Sequence, residues 1–479
     1  MSEISRLRRF VPAQQDLRVR LRLSVTEFLL TPLLMMLGAV ALAVGATLAD
    51  MTSPAWPPGV RDAFLRLFPH ENLVAMLRVI ATGLVTVTTL TISALLVAIS
   101  HTATTVAPVV FDQFLRRRAN QAYFGYVAGC ATYTYLVMAV SRPRWAGVGA
   151  LLAVVLAAGA LVLLVFMAYV MIDQMRPTSV VRSIQDLAFR ARLRQLPLLA
   201  RSRPRPLRDG ESLPVTTRST GYVVDISTAR LERLLAPSGE DVEVSFQVRI
   251  GDLLAYGDTV ARIRGGDEAQ RRRIAGSVLD CVTIDRVRNA DVDPDHAIEQ
   301  LGNIAWAATS TRQNPDVALA SVGALRDLSA RCAAAGVPEA EAYGGPLPVV
   351  YDDALQRRIV AALVDLVVVS TSSRQHQTCA VALSTLAEIL PQLPERDRDL
   401  AVKSLQRALP ATLSHVASVE MGRGLARLRA AFDTIGREDM ADQVRDMGPR
   451  LVRENGLDDD LVDHIDDHDI TGPRPFRFR

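Results

Sequence analysis

Lysine is almost absent from this 479-residue chain. Lys403 is the only one, and every other basic residue except the histidines is an arginine. Schiff-base catalysis, a phosphate-binding P-loop and the attachment of a lipoyl or biotinyl group each need a lysine in a set context. Lys403 lies in the helical pattern DLAVKSLQRAL, which has no glycine-rich loop, so the sequence argues against all three chemistries.

Cysteines and catalytic motifs are also scarce. The four cysteines are far apart and have no CxxC spacing, which argues against a structural zinc site and a disulfide framework. We expect buried, reduced thiols at Cys130, Cys281, Cys332 and Cys379. The sequence lacks G-x-S-x-G, HExxH and an acid and base pair at diagnostic spacing, so we predict neither enzymatic activity nor a cofactor.

Charged residues are unevenly distributed along the chain. Residues 1–176 carry 15 arginines and 8 acidic residues, whereas the remainder carries 39 basic and 43 acidic residues. The near balance in the second part argues against a nucleic-acid-binding face, which needs clustered positive charge. A charge-poor, apolar part followed by a part of ordinary soluble composition predicts a membrane domain joined to a water-soluble domain.

Four stretches reach the roughly 20 apolar residues that a membrane-spanning helix needs. They are Phe28–Ala49, Leu73–Ser100, Ala122–Val140 and Val148–Ile172. Arginines cluster before the first stretch, after the second and after the fourth, so the positive-inside rule places both termini in the cytoplasm. The Arg-rich N-terminus and the long first span argue against a cleavable signal peptide. The residues that we expect at the basic membrane surface are Arg116, Arg117, Arg118, Arg190, Arg192 and Arg194.

The second predicted span carries a row of hydroxyl side chains. Steps of 4, 3, 4, 7 and 4 residues place them on one helix face: Thr82, Thr86, Thr89, Ser93, Ser100 and Thr104. Such a row either lines a wet path or forms hydrogen bonds at a helix–helix contact or to its own helix. His101, at the cytoplasmic end, either senses pH or makes an ordinary interfacial hydrogen bond.

The second span is also unusually long. Its helical pattern runs on to about Phe111, so we expect the helix to project into the cytoplasm, with a kink at Pro108. Arg78 is close enough to the outer end to extend its guanidinium to the interface, and no Asp, Glu or Arg lies in the middle of a span. A proton-coupled or voltage-sensing mechanism therefore has no evident carrier.

Composition divides the chain into six segments. We predict a basic N-terminus (1–26), a four-helix transmembrane domain (27–175), a juxtamembrane basic helix and linker (176–212), a small β domain (213–290), a helical domain (291–449) and a disordered acidic tail (450–479). The juxtamembrane helix is expected near anionic headgroups, and a simple positive-inside anchor explains its arginines equally well. The predicted fold class is thus an α-helical membrane domain followed by a cytoplasmic α+β part.

Two patterns indicate the folds of the soluble part. The run VRIGDLLAYGDTVARI, with Gly-Asp turns between short strands, is similar to the barrel-sandwich fold of lipoyl and biotinyl carriers, although the lysine that carriers modify is missing. Residues 301–320 and 363–382 match at an offset of 62, each as a helix, a polar corner and a second helix. We interpret them as HEAT-like or bundle repeats, with chance similarity of Ala- and Leu-rich helices as the alternative.

Polar residues without an evident packing role are densest just before the helical segment. They are Asp285, Arg286, Arg288, Asp291 and Asp293. They either form an ion-pair network that ties the β domain to the helices or bind a ligand or cation.

Two further signals are weaker. In the acidic tail, His464 and His468 are four residues apart and could bind a metal, but a disordered terminus is the favoured interpretation. Trp306 and Tyr351 could line a small-molecule pocket, although core packing explains both.

The order of these segments resembles the bacterial predicted membrane proteins catalogued as domain of unknown function 2254. The likeness covers nearly all of residues 20–420 and is carried by APVVFDQFLRRRANQAYFGY, TGYVVDI, VRIGDLLAYGDTVARI and IDRVRNADVDPDHAIEQLGNIAWAATSTRQNPDVA. It implies this fold layout and a bacterial cytoplasmic membrane, and no activity. The chain departs from the family pattern at Ala107-Pro108-Val109, where the family usually has Ser-Pro-Arg, and at Gln313-Asn314-Pro315, where it has an Asn-Asp-Pro-like corner.

From these observations we predict a homo-oligomeric membrane protein whose second span lines a channel- or transporter-like pore, regulated by the cytoplasmic domain. The alternative is a non-transporting, membrane-anchored sensor or scaffold whose helical domain binds a protein or a small ligand. The expected partners are the lipid bilayer and further copies of the chain, and no nucleic acid.

Overall fold

The computed structural model describes eight stretches of the chain. They are residues 30–52, 70–105, 118–140, 148–174, 176–208, 210–288, 290–312 and 314–454. The chain forms two compact units, Met1–Arg176 and Pro177–Arg479. The described part of the first unit is helical, whereas the second unit contains both helices and strands.

The first unit contains four apolar helices. They are α1 (Leu30–Thr52), α2 (His70–Thr105), α3 (Arg118–Val140) and α4 (Val148–Gln174). Each contains 21 or 22 residues that are apolar enough to cross a bilayer, so the four predicted spans are confirmed. The 36 residues of α2 make a helix about 54 Å long, well above the ~30 Å of a hydrocarbon core. Its predicted continuation to Phe111, with Pro108, lies outside the described residues.

Helix α3 is the central helix of this unit and packs against the other three. It is also the least apolar of the four, with a mean hydropathy of 1.2 against 2.9 for α4. Its polar and aromatic side chains are buried between the helices: Asn120, Gln121, Tyr123, Tyr133 and Thr134. An unpaired polar group in hydrocarbon costs several kcal/mol. Burial at the centre of the unit keeps these groups away from lipid.

Two phenols of α3 are hydrogen-bonded to the backbone of α4. The Tyr133 hydroxyl donates to the Gly149 carbonyl oxygen at 3.0 Å, and the Tyr126 hydroxyl donates to the Leu156 carbonyl oxygen at 3.1 Å. A buried phenol usually finds such a partner because its ring is apolar and its tip is polar. These bonds fix α3 against α4 without water.

Helices α1 and α3 are in close contact at Gly125, one turn before Gly129. A Cβ atom at Gly125 would lie 2.8 Å from both the Sδ of Met35 and the Cα of Pro32. Small residues four apart let membrane helices come into backbone contact. The sequence GYVAG, residues 125–129, carries this spacing of small residues.

The second unit consists of seven strands and ten helices among its described residues. The strands are β1 (Ser212–Thr216), β2 (Gly221–Ile226), β3 (Val242–Phe246), β4 (Leu253–Leu254), β5 (Thr259–Gly265), β6 (Val282–Asp285) and β7 (Val349–Val350). The helices are α5 (Pro177–Arg201), α6 (Thr228–Leu235), α7 (Glu268–Ser277), α8 (Pro294–Thr311), α9 (Pro315–Ala335), α10 (Leu355–Ser373), α11 (His376–Ile389), α12 (Glu395–Ala408), α13 (Val419–Thr434) and α14 (Glu438–Glu454).

The strands form two sheets around one apolar core. The larger sheet has the order β1-β5-β3-β7, and the smaller has the order β4-β2-β6. Neighbouring strands are antiparallel except for β3 and β7, which are parallel. Val223 of the smaller sheet packs in the same core as Val244 and Ile263 of the larger one. The β segment therefore folds as one module with two layers.

Strand β7 comes from the segment that was predicted to be helical, and the structure differs here from two predicted boundaries. Val349–Val350 pairs with β3, and the Arg203 N–H donates to the Val349 carbonyl oxygen at 2.8 Å. The predicted linker is therefore part of the fold at Arg203, and the β domain takes a strand from beyond residue 290. A two-residue strand is too short to show an alternation of apolar and polar residues.

Two helix pairs of the second unit share the same kind of corner. Between α8 and α9, and again between α10 and α11, an arginine adopts a left-handed conformation, Arg312 at φ 57° and Arg374 at φ 53°. Helix α8 packs on α10, and α9 packs on α11, so the two similar sequences occupy equivalent positions in a stack. Helix α14 continues to Glu454, so residues 450–454 are helical and do not belong to a disordered tail.

The apolar face of α5 is covered by protein. This helix packs against α8 and α9 and buries Val181, Ile184 and Ala188. The predicted position of α5 among lipid headgroups is therefore wrong for its apolar face. An amphipathic helix has the same sequence pattern whether it packs on lipid or on other helices.

The arginines predicted at the membrane surface differ in their environment. Arg192 is only 7% exposed, and its guanidinium donates to both carboxylate oxygens of Asp353, at 2.9 and 2.5 Å. Its prediction as a membrane-surface residue is wrong, because this ion pair holds it inside the unit. Arg190 and Arg194 are exposed. Arg116 and Arg117 lie outside the described residues, as does the side chain of Arg118.

We expect Gly125→Ala to destabilise the membrane unit by about 1–3 kcal/mol, because the new methyl group displaces the Pro32 backbone. Gly38→Ala on α1 is the matched control, since nothing lies within 4 Å of a Cβ atom there. The measurement is the thermal unfolding midpoint of the full-length protein in detergent. Equal midpoints for the two variants would contradict the close contact of α1 with α3.

Candidate functional site

The hydroxyl row of α2 lies on the face that is turned away from the other helices. Leu73, Leu77 and Leu84 are buried on the packed face. At about 100° per residue, the hydroxyl row lies on the opposite side of the helix, and its described members are exposed: Thr82, Thr86, Thr89 and Ser93. These four side chains therefore form no helix–helix contact among the described residues of the protomer.

The threonine hydroxyls of this row bond to their own helix. Thr86 Oγ1 donates to the Thr82 carbonyl oxygen at 2.9 Å, and Thr89 Oγ1 donates to the Val85 carbonyl oxygen at 2.9 Å. Each hydroxyl oxygen still accepts hydrogen bonds from outside the helix. Ser100, His101 and Thr104 also belong to α2, but their side chains lie outside the described part of the structure.

In the second unit, the turn at Gly251 meets the N-terminus of α8. Asp293 caps this helix: its Oδ1 accepts from the His296 N–H at 3.0 Å, and its Oδ2 accepts from the Arg288 Nε at 2.5 Å. Gly251 lies directly against this carboxylate with φ +97°, and a Cβ atom there would clash with it. Both the backbone conformation and the space require glycine at this position.

The ion pair extends from Arg288 to a second carboxylate. Arg288 Nη1 donates to Glu299 Oε2 at 2.5 Å, so Arg288 joins the cap residue to the next turn of α8. We call Gly251, Arg288, Asp293 and Glu299 the turn–helix junction. Burial raises the pKa of Asp293, and Arg288 opposes this effect.

Two of the five predicted cluster residues belong to this junction, and three do not. Arg288 and Asp293 form its central ion pair. Asp285 accepts a hydrogen bond from the neighbouring Arg286 N–H at 2.6 Å, and the Asp291 carbonyl oxygen accepts from Arg194 at 3.0 Å. The ion-pair interpretation therefore describes part of the cluster, and Glu299 completes it.

Asp295 lies beside the junction with an unusual environment. It is 9% exposed, and no described residue donates a hydrogen bond to its carboxylate. The nearest cation is Arg358, whose Nε lies 3.7 Å from Asp295 Oδ2 and whose Nη2 lies 3.9 Å from Asp252 Oδ1. Burial and then the Asp293 charge raise the pKa of Asp295 to about 6, against the effect of Arg358.

Asp295 opens on a groove of about 170 Å³ between α8 and α10. Other polar and aromatic residues of the groove are Glu299, Asn303, Trp306, Arg358 and Asp365. Trp306 is 51% exposed, so the expectation that it packs in the core is wrong; it lies on the outer side of α8. Tyr351 is buried as expected, and its hydroxyl accepts from the Ile250 N–H at 3.1 Å.

Sequence reasoning missed a histidine pair in the helical stack. The Nδ1 atoms of His376 and His415 are 3.0 Å apart. The Val416 N–H donates to His376 Nδ1 at 3.2 Å, so this nitrogen is an acceptor and His415 Nδ1 carries the shared hydrogen. His415 Nε2 lies 3.3 Å from Ser370 Oγ. The two histidines are 39 residues apart in sequence, and no spacing motif connects them.

Both imidazoles are stabilised in the neutral form. Burial and then the neighbouring His376 lower the pKa of His415 to about 4. Burial and then Arg374 lower the pKa of His376. A proton on His376 Nδ1 would point at two N–H donors, those of His415 and Val416. This arrangement agrees with the lowered pKa of His376.

Comparison with known proteins gives a family. The family described as Predicted membrane protein (DUF2254) matches residues 26–383. This chain belongs to DUF2254. No curated protein and no solved structure matches it significantly. The matched part of this DUF2254 protein includes the four membrane helices, both sheets, the turn–helix junction and the groove, and it ends within α11.

The metal and thiol expectations have different outcomes. Across the ranges that the structure describes, no group of three or more His, Cys, Asp or Glu is arranged to hold a metal. The weak candidates His464 and His468 lie outside those ranges. The four cysteines are buried and free, as predicted.

The turn–helix junction predicts that residue 251 has to be glycine. Gly251→Ala and Gly257→Ala place a side chain at similar positive φ, +97° and +91°, so both carry a strain of about 1–2 kcal/mol. Only Gly251→Ala also displaces the Asp293 carboxylate, because space is open at Gly257. Disturbing this buried ion pair adds roughly 3 kcal/mol. A Gly251→Ala protein that melts at the same temperature as Gly257→Ala would contradict the junction.

The histidine pair predicts acid destabilisation. Unfolded histidine has a pKa of about 6.5, so the unfolded chain takes up protons before His415, whose pKa in the fold is about 4. Stability present above about pH 6.5 is therefore lost as the pH falls towards 4, by at most roughly 3 kcal/mol.

The control is His415→Gln, measured at the same pH values as the wild type. Other titrating groups affect both proteins equally, so they cancel in the difference between the two unfolding midpoints. One such group is Asp295, whose raised pKa makes the fold more stable as the pH falls. We expect the unfolding midpoint of the full-length wild type to fall more steeply than that of His415→Gln below about pH 6.5. Parallel curves for the two proteins would show that the pair does not titrate as inferred.

Proposed function

We propose that this DUF2254 protein assembles with further copies of itself and conducts an ion or small solute along the hydroxyl face of α2. The observation that supports this proposal most is the direction of that face, which is polar and left uncovered within the protomer. A path needs such a face, and the buried polar groups of α3 do not supply one.

The other outward-facing helix provides a contrast within the same unit. The large exposed side chains of α4 are apolar or aromatic: Leu151, Val155, Leu161, Val162, Val165, Phe166 and Tyr169. This composition is typical of a helix that faces lipid. On α2, the exposed Thr82, Thr86, Thr89 and Ser93 form a hydroxyl row. Exposed apolar residues such as Val79, Val85 and Leu90 flank this row. The two helices therefore meet different surroundings in this proposal, lipid for α4 and water for α2.

Oligomerisation follows from the size of the unit. Three helices pack around α3 and leave a protein-filled centre, so a path has to form between protomers. Cyclic assembly would place the same face of α2 from every copy around one axis. A ring of hydroxyl and apolar side chains then forms the wall, and the length of α2 extends it beyond the hydrocarbon core.

Several finer features belong to the same proposal. Arginine placement supports cytoplasmic termini, and the family resemblance supports a bacterial cytoplasmic membrane. The shared core of the two sheets supports a barrel-sandwich-like module. We assign no enzymatic step, and we assign regulation of the path to the second unit.

The second candidate function is a membrane-anchored sensor that binds a small ligand. The groove between α8 and α10 favours it, because the half-exposed Trp306 and the buried Asp295 carboxylate line the same space. In this case the membrane unit serves as an anchor, and the hydroxyl face of α2 carries no water.

Thiol accessibility separates the two functions. Thr89→Cys and Val162→Cys are both exposed in the protomer, on α2 and α4 respectively. We expect the thiol at position 89 to react with a water-soluble methanethiosulfonate at least about tenfold faster than the thiol at 162, since only a hydrated thiol ionises. The native cysteines are buried and contribute little.

The same reagent should reduce ion flux through the Thr89→Cys protein in liposomes and leave the Val162→Cys protein unaffected. Equal, slow labelling at both positions, together with flux no greater than in empty liposomes, would overturn the conduit and favour the sensor.

A further inference from the structure

Arg78 is a charged residue inside the apolar stretch of α2. The stretch runs from Asn72 to Ser93, so Arg78 lies six residues, or about 9 Å along the helix, from its outer end. Its side chain is exposed, and it forms no hydrogen bond or ion pair with any residue that the structure describes. Among the described residues, the apolar stretch of α2 thus contains a guanidinium without a protein partner.

A lone arginine at this position is unfavourable in lipid. A charged side chain in hydrocarbon loses its hydration, and this loss is unfavourable. Ionisable residues within spans therefore usually face a partner or a water-filled cavity. Among the residues that the structure describes, the face that carries Arg78 contacts no other helix.

Arg78 lies on the same face as the hydroxyl row. It precedes Thr82 by four residues and Thr89 by eleven, and both spacings return to the same side of an α-helix. Leu77, the neighbouring residue, is buried on the packed side. One face of α2 therefore carries a cation at its outer part, followed inwards by neutral hydroxyls.

We propose that the path along α2 selects anions, and that Arg78 from each copy forms the ring that selects them. This inference rests on the proposed conducting function and names the class of solute that passes. Charged rings set the sign of the permeant ion in many pores. Hydroxyl groups both donate and accept, so they accommodate an ion of either sign, and the full charge at Arg78 decides between them.

The other charge on this face is Glu71. It is the only acidic residue of α2 and lies in the first turn, seven residues outside Arg78. Its position in the helix is about 10 Å from Arg78 and just before the apolar stretch, which begins at Asn72. Arg78 is therefore the last full charge that an ion meets before the hydroxyl-lined part.

The test is the reversal potential of the full-length protein in planar bilayers under a KCl gradient. We expect the wild type to be several-fold more permeable to chloride than to potassium. Arg78→Lys keeps this preference, Arg78→Gln brings the permeability ratio close to one, and Arg78→Glu inverts it. Glu71→Gln is the matched control, because it removes a charge from the same face and leaves the preference for chloride in place.

The outcomes separate the two proposals. A conductance that prefers potassium in the wild type, or one that Arg78→Gln does not change, overturns the selectivity and leaves the conduit standing. The second of these results is expected if the guanidinium extends to lipid phosphates instead of the path. Absence of any conductance in the wild type overturns the conduit and the selectivity together.

Discussion

The hydrocarbon core of a membrane offers no hydrogen-bond partners, and this constraint accounts for the placement of polar side chains in the first unit. Helix α3 satisfies it by burial at the centre, where Tyr126 and Tyr133 donate to carbonyl groups of α4. Helix α2 satisfies it locally, because Thr86 and Thr89 donate to their own backbone. The polar groups of α3 are used inside the protomer, whereas the outward face of α2 keeps oxygen atoms that accept bonds from outside. Among the described helices, α2 is therefore the one that presents a row of exposed hydroxyls.

In the second unit, glycine at position 251 determines where a group of charged side chains lies. It lets the turn lie against Asp293, which caps α8 and pairs with Arg288. Arg358 on α10 lies between Asp252 of the same turn and Asp295 of α8. The sheets and the helical stack are thus joined by charges whose partners come from different segments. Because a buried carboxylate without its cation is costly, a change in any one segment disturbs the others.

The sequence predicts those features that depend on residues close together in the chain. Long apolar runs predict the four spans, and the similar corners at Arg312 and Arg374 follow from the repeat. The Arg288–Asp293 pair lies within one charged segment and was predicted as one interpretation. Pairings between distant segments were not predictable. Strand β7 is only two residues long, and Arg192 pairs with Asp353, which lies 161 residues later in the chain. His376 and His415 are brought together only by the packing of the helices. The outward position of Trp306 likewise depends on which side of α8 the other helices cover.

The distribution of titratable groups limits how the proposed path along α2 would be controlled. Arg78 is the only cation in the apolar stretch of this helix, and one elementary charge that crosses the whole membrane gains about 2.3 kcal/mol per 100 mV. Since Arg78 lies near one end, any displacement would cross only a fraction of the field, so steep voltage dependence is not expected from it. The second unit contains groups of another kind, because the pKa of Asp295 is about 6 and the histidine pair is neutral and opposes protonation. Control by protons or by a ligand of the groove is consistent with this arrangement, and control by voltage is not.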